Sequence, residues 1–262
     1  MSGSANVALD DVVRSADSLL DVGAMPDYPN ALNGLQLANG GRVHAIATAV
    51  DFSRRTVEGA IAANANLLVV HHGMFWAGAQ PLRGSAYDRI RLLIANDVAV
   101  YAAHLPLDRH PALGNNVLLA RALGLEPTGE FARHAHIFVG VRGECDELTA
   151  GLSARADAFA RQHGGSARTT PVLRGRRTRR WAICTGAGAS LDTLREAAEA
   201  GIDTLVVGEG PHWTAVEAEE LGLVIVYAGH YATETLGVRA LGEHLASAFG
   251  LPSTFVEAPT GL

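Results

Sequence analysis

Leu67-Leu-Val-Val-His-His-Gly73, the stretch LLVVHHG, decides how this chain is read. Its apolar half, Leu67 to Val70, is short and continuous, the pattern of a strand buried on both faces. It stops at two adjacent histidines, His71 and His72, and a glycine. Open α/β sheets build their sites where strands end. Neighbouring strand residues point to opposite faces, so at a frayed end the two imidazoles can be aimed at different ions. An isolated His-His pair is weak evidence, because a packed, hydrogen-bonded histidine explains one as well. The surrounding sequence has to supply the remaining ligands.

Outward from this stretch, strands and helices alternate. AIATAVD precedes it, as a strand from about Val43 to Val50, and Ser53 caps a helix to about Ala63. A helix near Tyr87 to Ala95 follows, then the strand VAVYAA, which also ends in histidine, His104, with LPLD leading to Asp108. GNN, Gly114 to Asn116, opens a helix ending near Gly124. Upstream, Asn6 is placed to cap a first helix that Gly23 and Pro26 end, and the loop with Asn33, Gly34 and Gln36 reads as a turn. A second unit starts near Phe131: IFVGVR is a strand, Cys145 to about His163 a helix, and the basic run Arg174 to Arg180 a solvated loop before the strand WAICTG.

The chain repeats itself. AIATAVD lies over AICTGAG (Ala182 to Gly188), and LLVVHHG over TLVVGEG (Thr204 to Gly210) at the same offset. VAVYAAH (Val98 to His104) lies over VIVYAGH (Val224 to His230), and this register sets Asp108 over Glu234. The expectation is an α/β protein of two similar, duplicated lobes with mainly parallel or mixed sheets, residues 1–130 and 131–262, facing each other across a dinuclear metal site.

His230 and Glu234 stand four residues apart where a strand gives way to a helix, so they share a face. With His71, His72 and Asp108 they make five ligands, too many for one tetrahedral zinc with an open position. Five suit two divalent ions with a carboxylate, Glu234, bridging them; such a pair polarises a substrate oxygen and generates bound hydroxide near neutral pH. Imidazole and carboxylate accept iron, zinc, manganese, cobalt or nickel. His104 lies over His230 and is the candidate catalytic group; it can be a ligand, a general base or an orienter of its neighbours, and the last two are favoured. Glu209, over His72, is a further supporting candidate. Tyr231 and Thr233 flank the pair, as substrate contacts or as plain surface. His212 and Trp213 read as helix N-terminal or interface residues, and the remaining histidines as structural.

Composition narrows the chemistry. The 262 residues are 48% hydrophobic and 18% charged, enough for one large or two modest domains. All 21 basic residues are arginine, which excludes a lysine Schiff base and the usual phosphate-loop lysine. A net charge of −6 gives no general attraction to nucleic acid or anionic membrane. Two cysteines, Cys145 and Cys184, outside any CxxC, argue against a thiolate zinc site and for a reducing compartment. The segment MSGSANVALDD lacks the pattern of a signal peptide, and no apolar run approaches membrane-spanning length, so a cytoplasmic protein is expected.

NGLQ (Asn33 to Gln36), VVHHGMFW (Val69 to Trp76), HLPLDRHPALGNN (His104 to Asn116), VVGEG (Val206 to Gly210) and GHYATE (ending at Glu234) carry a resemblance to a known family. Over nearly its whole length the chain resembles the short form of the YbgI-type dinuclear-metal-centre family, labelled GTP cyclohydrolase type 2 homologues and DUF34. The resemblance implies a ring-shaped homohexamer, two related α/β lobes and a pair of divalent ions held by His71, His72, Asp108, His230 and Glu234. Many members have proline where this chain has Gly73, a difference expected to affect the loop. Two function classes follow. The first is a metal-dependent hydrolase of a small nucleotide-like or other cyclic substrate, with His104 shuttling protons and Arg83 or Arg109 holding phosphate. The second is a regulatory or scaffold ring whose metals assemble or sense. Nucleic-acid contact through Arg174 to Arg180 ranks below both.

Overall fold

A computed structural model of the chain describes residues 6–262; Met1 to Ala5, part of the segment read above for a signal peptide, lie outside the described residues. In chain order the elements are β1 (Val7–Ala8), α1 (Leu9–Leu20), β2 (Gly34–Leu37), β3 (Arg42–Val43), β4 (Ile46–Asp51), α2 (Arg54–Ala62), β5 (Leu67–His72), α3 (Ser85–Ala95), β6 (Ala99–Ala102) and α4 (Leu105–Asp108). There follow α5 (Asn115–Ala122), β7 (Gly129–His134), β8 (Ile137–Leu148), α6 (Thr149–Gln162), β9 (Arg168–Thr169), β10 (Arg177–Cys184) and α7 (Leu191–Glu199). The chain ends with β11 (Thr204–Val207), α8 (His212–Glu220), β12 (Val224–Tyr227), α9 (His230–Phe249) and β13 (Ser253–Phe255).

Among the described residues, the first compact unit comprises 6–107 and Gly237–Ala258. Its five-stranded sheet runs β13-β4-β5-β6-β2, parallel except for the antiparallel edge strand β2. β5 is inside this sheet, and its Leu67, Leu68, Val69 and Val70 are at most 1% exposed. Each such side chain contributes about 1.5–3 kcal/mol of burial, so the register that ends β5 at His71 and His72 is firmly set. Leu68 and Val70 pack with Ala47, Ala49, Val57 and Val100 in one core cluster.

The second unit comprises Asp108–Leu236 and Pro259–Leu262. Its six-stranded sheet runs β7-β8-β10-β11-β12-β9. β10, β11 and β12 are parallel, while β7, β8 and β9 pair antiparallel with their neighbours. One core cluster includes Trp181, Ile183, Val206 and Val226, and another Ala182, Leu205, Val207 and Ile225. Alternate residues of the parallel strands thus feed opposite faces of the sheet.

The duplication extends to small details. Each unit threads strand, helix, strand, helix, strand through a parallel core and adds a short antiparallel strand beside the last one. The first helix of each repeat opens with a reciprocal cap, Ser53 with Thr56 and Ser190 with Thr193. In both, the threonine hydroxyl also donates to a carbonyl before the helix, to Asp51 O at the end of β4 at 2.8 Å and to Gly188 O in the turn after β10 at 2.7 Å.

Several expectations need correcting. The two compact units do not follow the division at residues 130 and 131: Asp108 to Glu130 belong to the second, and Gly237–Ala258 returns to the first, where β13 pairs with β4. Asn6 is not a cap. The position before α1 is Ala8, without a side-chain cap, and Asn6 accepts from Arg42 at 3.3 Å. Cys145 to Leu148 is strand, because β8 keeps its pairing with β10 as far as Leu148↔Arg177. The basic run is only partly loop. Arg177 to Arg180 begins β10, with Arg177 Nε 2.5 Å from Asp146 and the Arg179 and Arg180 amides each 2.9 Å from Asp203. No helix among the described residues is long and apolar enough to cross a membrane.

Candidate metal centre

In the first unit the site is built from the ends of β4, β5 and β6. His71 Nδ1 lies 2.8 Å from the carbonyl oxygen of Ala103. A carbonyl only accepts, so this nitrogen carries the proton and Nε2 keeps its lone pair. His72 Nδ1 lies 2.9 Å from Asp51 Oδ1, and Asp51 is the register partner of His72 across β4 and β5. His104, two residues beyond β6, directs Nδ1 to Asp27 Oδ1 at 2.8 Å, while its backbone amide donates to Asn33 Oδ1 at 2.7 Å. All three histidines are buried, and they present donor atoms within 4.8 Å of one another.

Asp27 is the hinge of that arrangement. Its other oxygen accepts from Asn33 Nδ2 at 2.8 Å and the Leu105 amide at 3.0 Å. Burial pushes the carboxyl pKa upward, but the bond and charge of His104, then the bonds from Asn33 and Tyr28, bring it below its ordinary value.

In the second unit, His230 and Glu234 occupy the first turns of α9, with Nε2 and Oε2 3.2 Å apart. His230 Nδ1 is 2.8 Å from Glu209 Oε1. Burial disfavours the charged ring, yet Glu234 and then Glu209 outweigh it and push the His230 pKa up to about 9. Gly186 makes room for the pair: at φ +60°, a Cβ there would lie 2.0 Å from Glu234 Oε1 and 3.3 Å from His230 Nε2. The Gly186 amide donates to Thr233 Oγ1 at 3.1 Å, and that hydroxyl donates to His230 O at 3.0 Å. Asp108 is buried, and Oδ1 accepts from Asn115 Nδ2 at 2.8 Å. Asn116 bonds Val139 O and accepts from the Thr185 amide, tying α5 to β8 and to the end of β10. Burial, with Asp108, Glu196 and Glu234 nearby, pushes the Cys184 thiol up to about 12 and leaves it protonated at neutral pH.

These residues suit a divalent ion. Each of His71, His72, His104 and His230 turns Nδ1 toward a carbonyl or carboxylate oxygen, the outer contact that metal-ligating histidines use to fix ring and tautomer. Glu234 and Asp108 add buried carboxylates, and the space that Gly186 leaves beside Glu234 is one a methyl group would fill.

The structure places His71, His72 and His104 together in the first unit, and His230 with Glu234 in the second. Glu209, which the repeat sets over His72, is bonded to His230 Nδ1. Tyr231 and Thr233 are buried rather than surface residues. Asp27 and Asp51 escaped the sequence reading. Asp51 carried a signal, as a carboxylate closing the strand before β5. Asp27 carried none, lying far from His104 in sequence within a loop. Asn33 and Gln36, read as turn residues, are buttresses: Asn33 bonds Asp27 and His104, and Gln36 holds Met74 N at 2.6 Å.

Fold and side chains together define a two-lobed α/β protein with histidines and carboxylates of metal-binding type in each lobe. The chain belongs to the Duf34/NIF3 (NGG1p interacting factor 3) family, whose family model matches residues 7–260. It is 38% identical to a GTP cyclohydrolase 1 type 2 homolog of Deinococcus radiodurans, covering 100% of this chain and 97% of the relative. It is 43% identical to the protein of the same description from Halobacterium salinarum, covering 90% and 93%. Among solved structures, the protein ybgI, described as of unknown function, superposes with a TM-score of 0.88 at 33% identity, covering 98% of this chain and 100% of that one. Reduced HcgD from Methanocaldococcus jannaschii shares the fold, with a TM-score of 0.82 at 22% identity over 97% of this chain and 99% of that one.

Proposed function

We propose that this chain is a dinuclear, divalent-metal-dependent hydrolase acting on a small nucleotide-like or cyclic substrate. His71, His72, Asp108, His230 and Glu234 are the ligands of two cations. The description of its relatives as GTP cyclohydrolase 1 type 2 homologs supports this reading. The observation that carries it is the common orientation of the four imidazoles, each with Nδ1 turned to an oxygen acceptor. Metal-ligating histidines use this contact to fix ring and tautomer. Bound divalent ions would polarise a substrate oxygen and activate water at neutral pH.

The protein's own groups do the rest. Asp27 holds His104 in the tautomer whose Nε2 takes up a proton, and stabilises the ring once it is charged. Glu209, bonded to Nδ1, fixes the His230 ring so that Nε2 is left for a cation. Gly186 leaves Glu234 the room it occupies. The ring-shaped homohexamer implied by the resemblance is part of the proposal, as is a cytoplasmic setting.

Turnover of a nucleotide panel, GTP included, tests the reading with metal-loaded wild type and Glu234→Ala. Hydrolysis by wild type, reduced at least a hundredfold in the variant, is expected. Equal inertness of both would overturn it. The family description, an interacting factor, favours a second reading, in which the metals support assembly. Loss of oligomer size on chelation, without turnover at any stage, would select that one.

A further inference from the structure

Two partly exposed aromatic rings lie beside the first-unit histidines. Trp76 is 40% exposed and Tyr28 54% exposed. Trp76 lies 4.8 Å from the ring of His72 and 4.6 Å from that of His104, centroid to centroid, and Tyr28 lies 6.0 Å from His104. The interplanar angles of 43°, 63° and 48° show that none of these contacts is a parallel stack. Trp181, by contrast, is fully buried in the core. A scattered exposed aromatic residue needs no explanation. Two that converge on one imidazole from separate loops do.

The loops are fastened to each other and to the histidines. The Tyr28 amide donates to Asp27 Oδ1 at 2.7 Å, the oxygen that also takes His104 Nδ1. Gln36 Nε2 donates to Ala31 O and Leu32 O at 3.1 and 2.9 Å, and its Oε1 accepts from the Met74 amide. One amide side chain thus straps the loop bearing Tyr28 to the loop bearing Trp76. Gly73 makes the strap possible: a Cβ there would fall 2.3 Å from Gln36 Nε2. The expectation that Gly73 in place of proline affects the loop thus acquires a physical basis.

We propose that Trp76 and Tyr28 form an aromatic edge that takes the planar heteroaromatic ring of the substrate, with the Gln36 strap fixing their spacing. Aromatic faces bind such rings by stacking, and preorganised side chains lose little freedom in doing so. This rests on reading the neighbouring histidines as a substrate-transforming centre, and it narrows that substrate to one bearing a nucleobase-like ring.

Equilibrium binding to the metal-loaded protein tests it, read by calorimetry and by tryptophan fluorescence, with guanosine 5′-monophosphate against ribose 5-phosphate. The nucleotide should bind more tightly than the base-less sugar phosphate. Trp76→Ala should weaken the nucleotide about tenfold or more, Trp76→Phe should keep most of the affinity, and ribose 5-phosphate should respond to neither. Fluorescence quenching by the nucleotide should persist in Trp213→Phe, whose altered ring belongs to α8. If Trp76→Ala does not fold, Tyr28→Leu carries the same comparison. Equal binding of the two ligands, binding of neither, or unchanged nucleotide affinity in Trp76→Ala or Tyr28→Leu would overturn the proposal. Binding is scored apart from turnover. Ring binding without hydrolysis would sink the hydrolase and leave the aromatic edge, and hydrolysis of ring-free substrates alone would do the reverse.

Discussion

Asp27 shows what one buried carboxylate contributes here. Its side chain is 7% exposed, and its bonds to His104, Asn33, Tyr28 and Leu105 join the loop between α1 and β2 to the segment after β6. Its pKa is lowered on folding, with burial opposing and the His104 contacts prevailing. A carboxylate of this kind adds stability that is fully present above its unfolded value, about 3.9. That stability is lost as pH falls through the lower folded value. Asp27→Asn should therefore cost about 1–3 kcal/mol at pH 7, with the gap to wild type closing below about pH 4. Urea melts from pH 7 to 3 measure this; a gap that stays constant would show that the charge is irrelevant. The residues at or just beyond strand ends, His71, His72, His104 and His230, were legible in the sequence because an apolar run announces where a strand stops. Asp27 was not, since its role comes from a loop closure that leaves no periodic mark.

At the scale of elements, the turn between β10 and α7 brings a positive-φ glycine against a candidate ligand. Gly186 sits at φ +60° against Glu234. Gly186→Ala adds a backbone cost of about 1–2 kcal/mol for the left-handed conformation, and drives its methyl into the carboxylate. Metal per chain, measured by elemental analysis after equilibration with one divalent ion, should fall severalfold while far-ultraviolet circular dichroism is unchanged. Full metal loading would mean that Glu234 does not depend on that space. Helix starts such as Ser53 could be read because a cap is local chemistry. The end of β8 could not: Cys145 to Leu148 has no apolar alternation, and its strand state comes from pairing with Arg177 and Thr178. For the same reason a basic run became half strand once Asp146 and Asp203 met its charges and amides.

For the whole molecule, the duplication was legible because strands of similar composition and ending recur in the same order. The compact units were not, because segments distant in sequence complete them. β13 pairs with β4, bonded through Ile46 N to Pro252 O and Val256 N to Thr48 O, and Leu262 O accepts from Tyr231 N. Truncation after Gly250 should lower the melting temperature and raise light scattering on heating, because β4 loses its partner and becomes an open edge. An unchanged melt would show that the C-terminal strand is dispensable.

The late return of the polypeptide matters for how it is made. While a ribosome is still delivering α9, the first sheet has every strand except the last, and β4 waits with one flank bare. Cutting the gene at its internal repeat would therefore yield one fragment lacking a border strand and another carrying a strand with no sheet to join. The ancestral duplication is written along the message, yet neither copy can now be inherited alone.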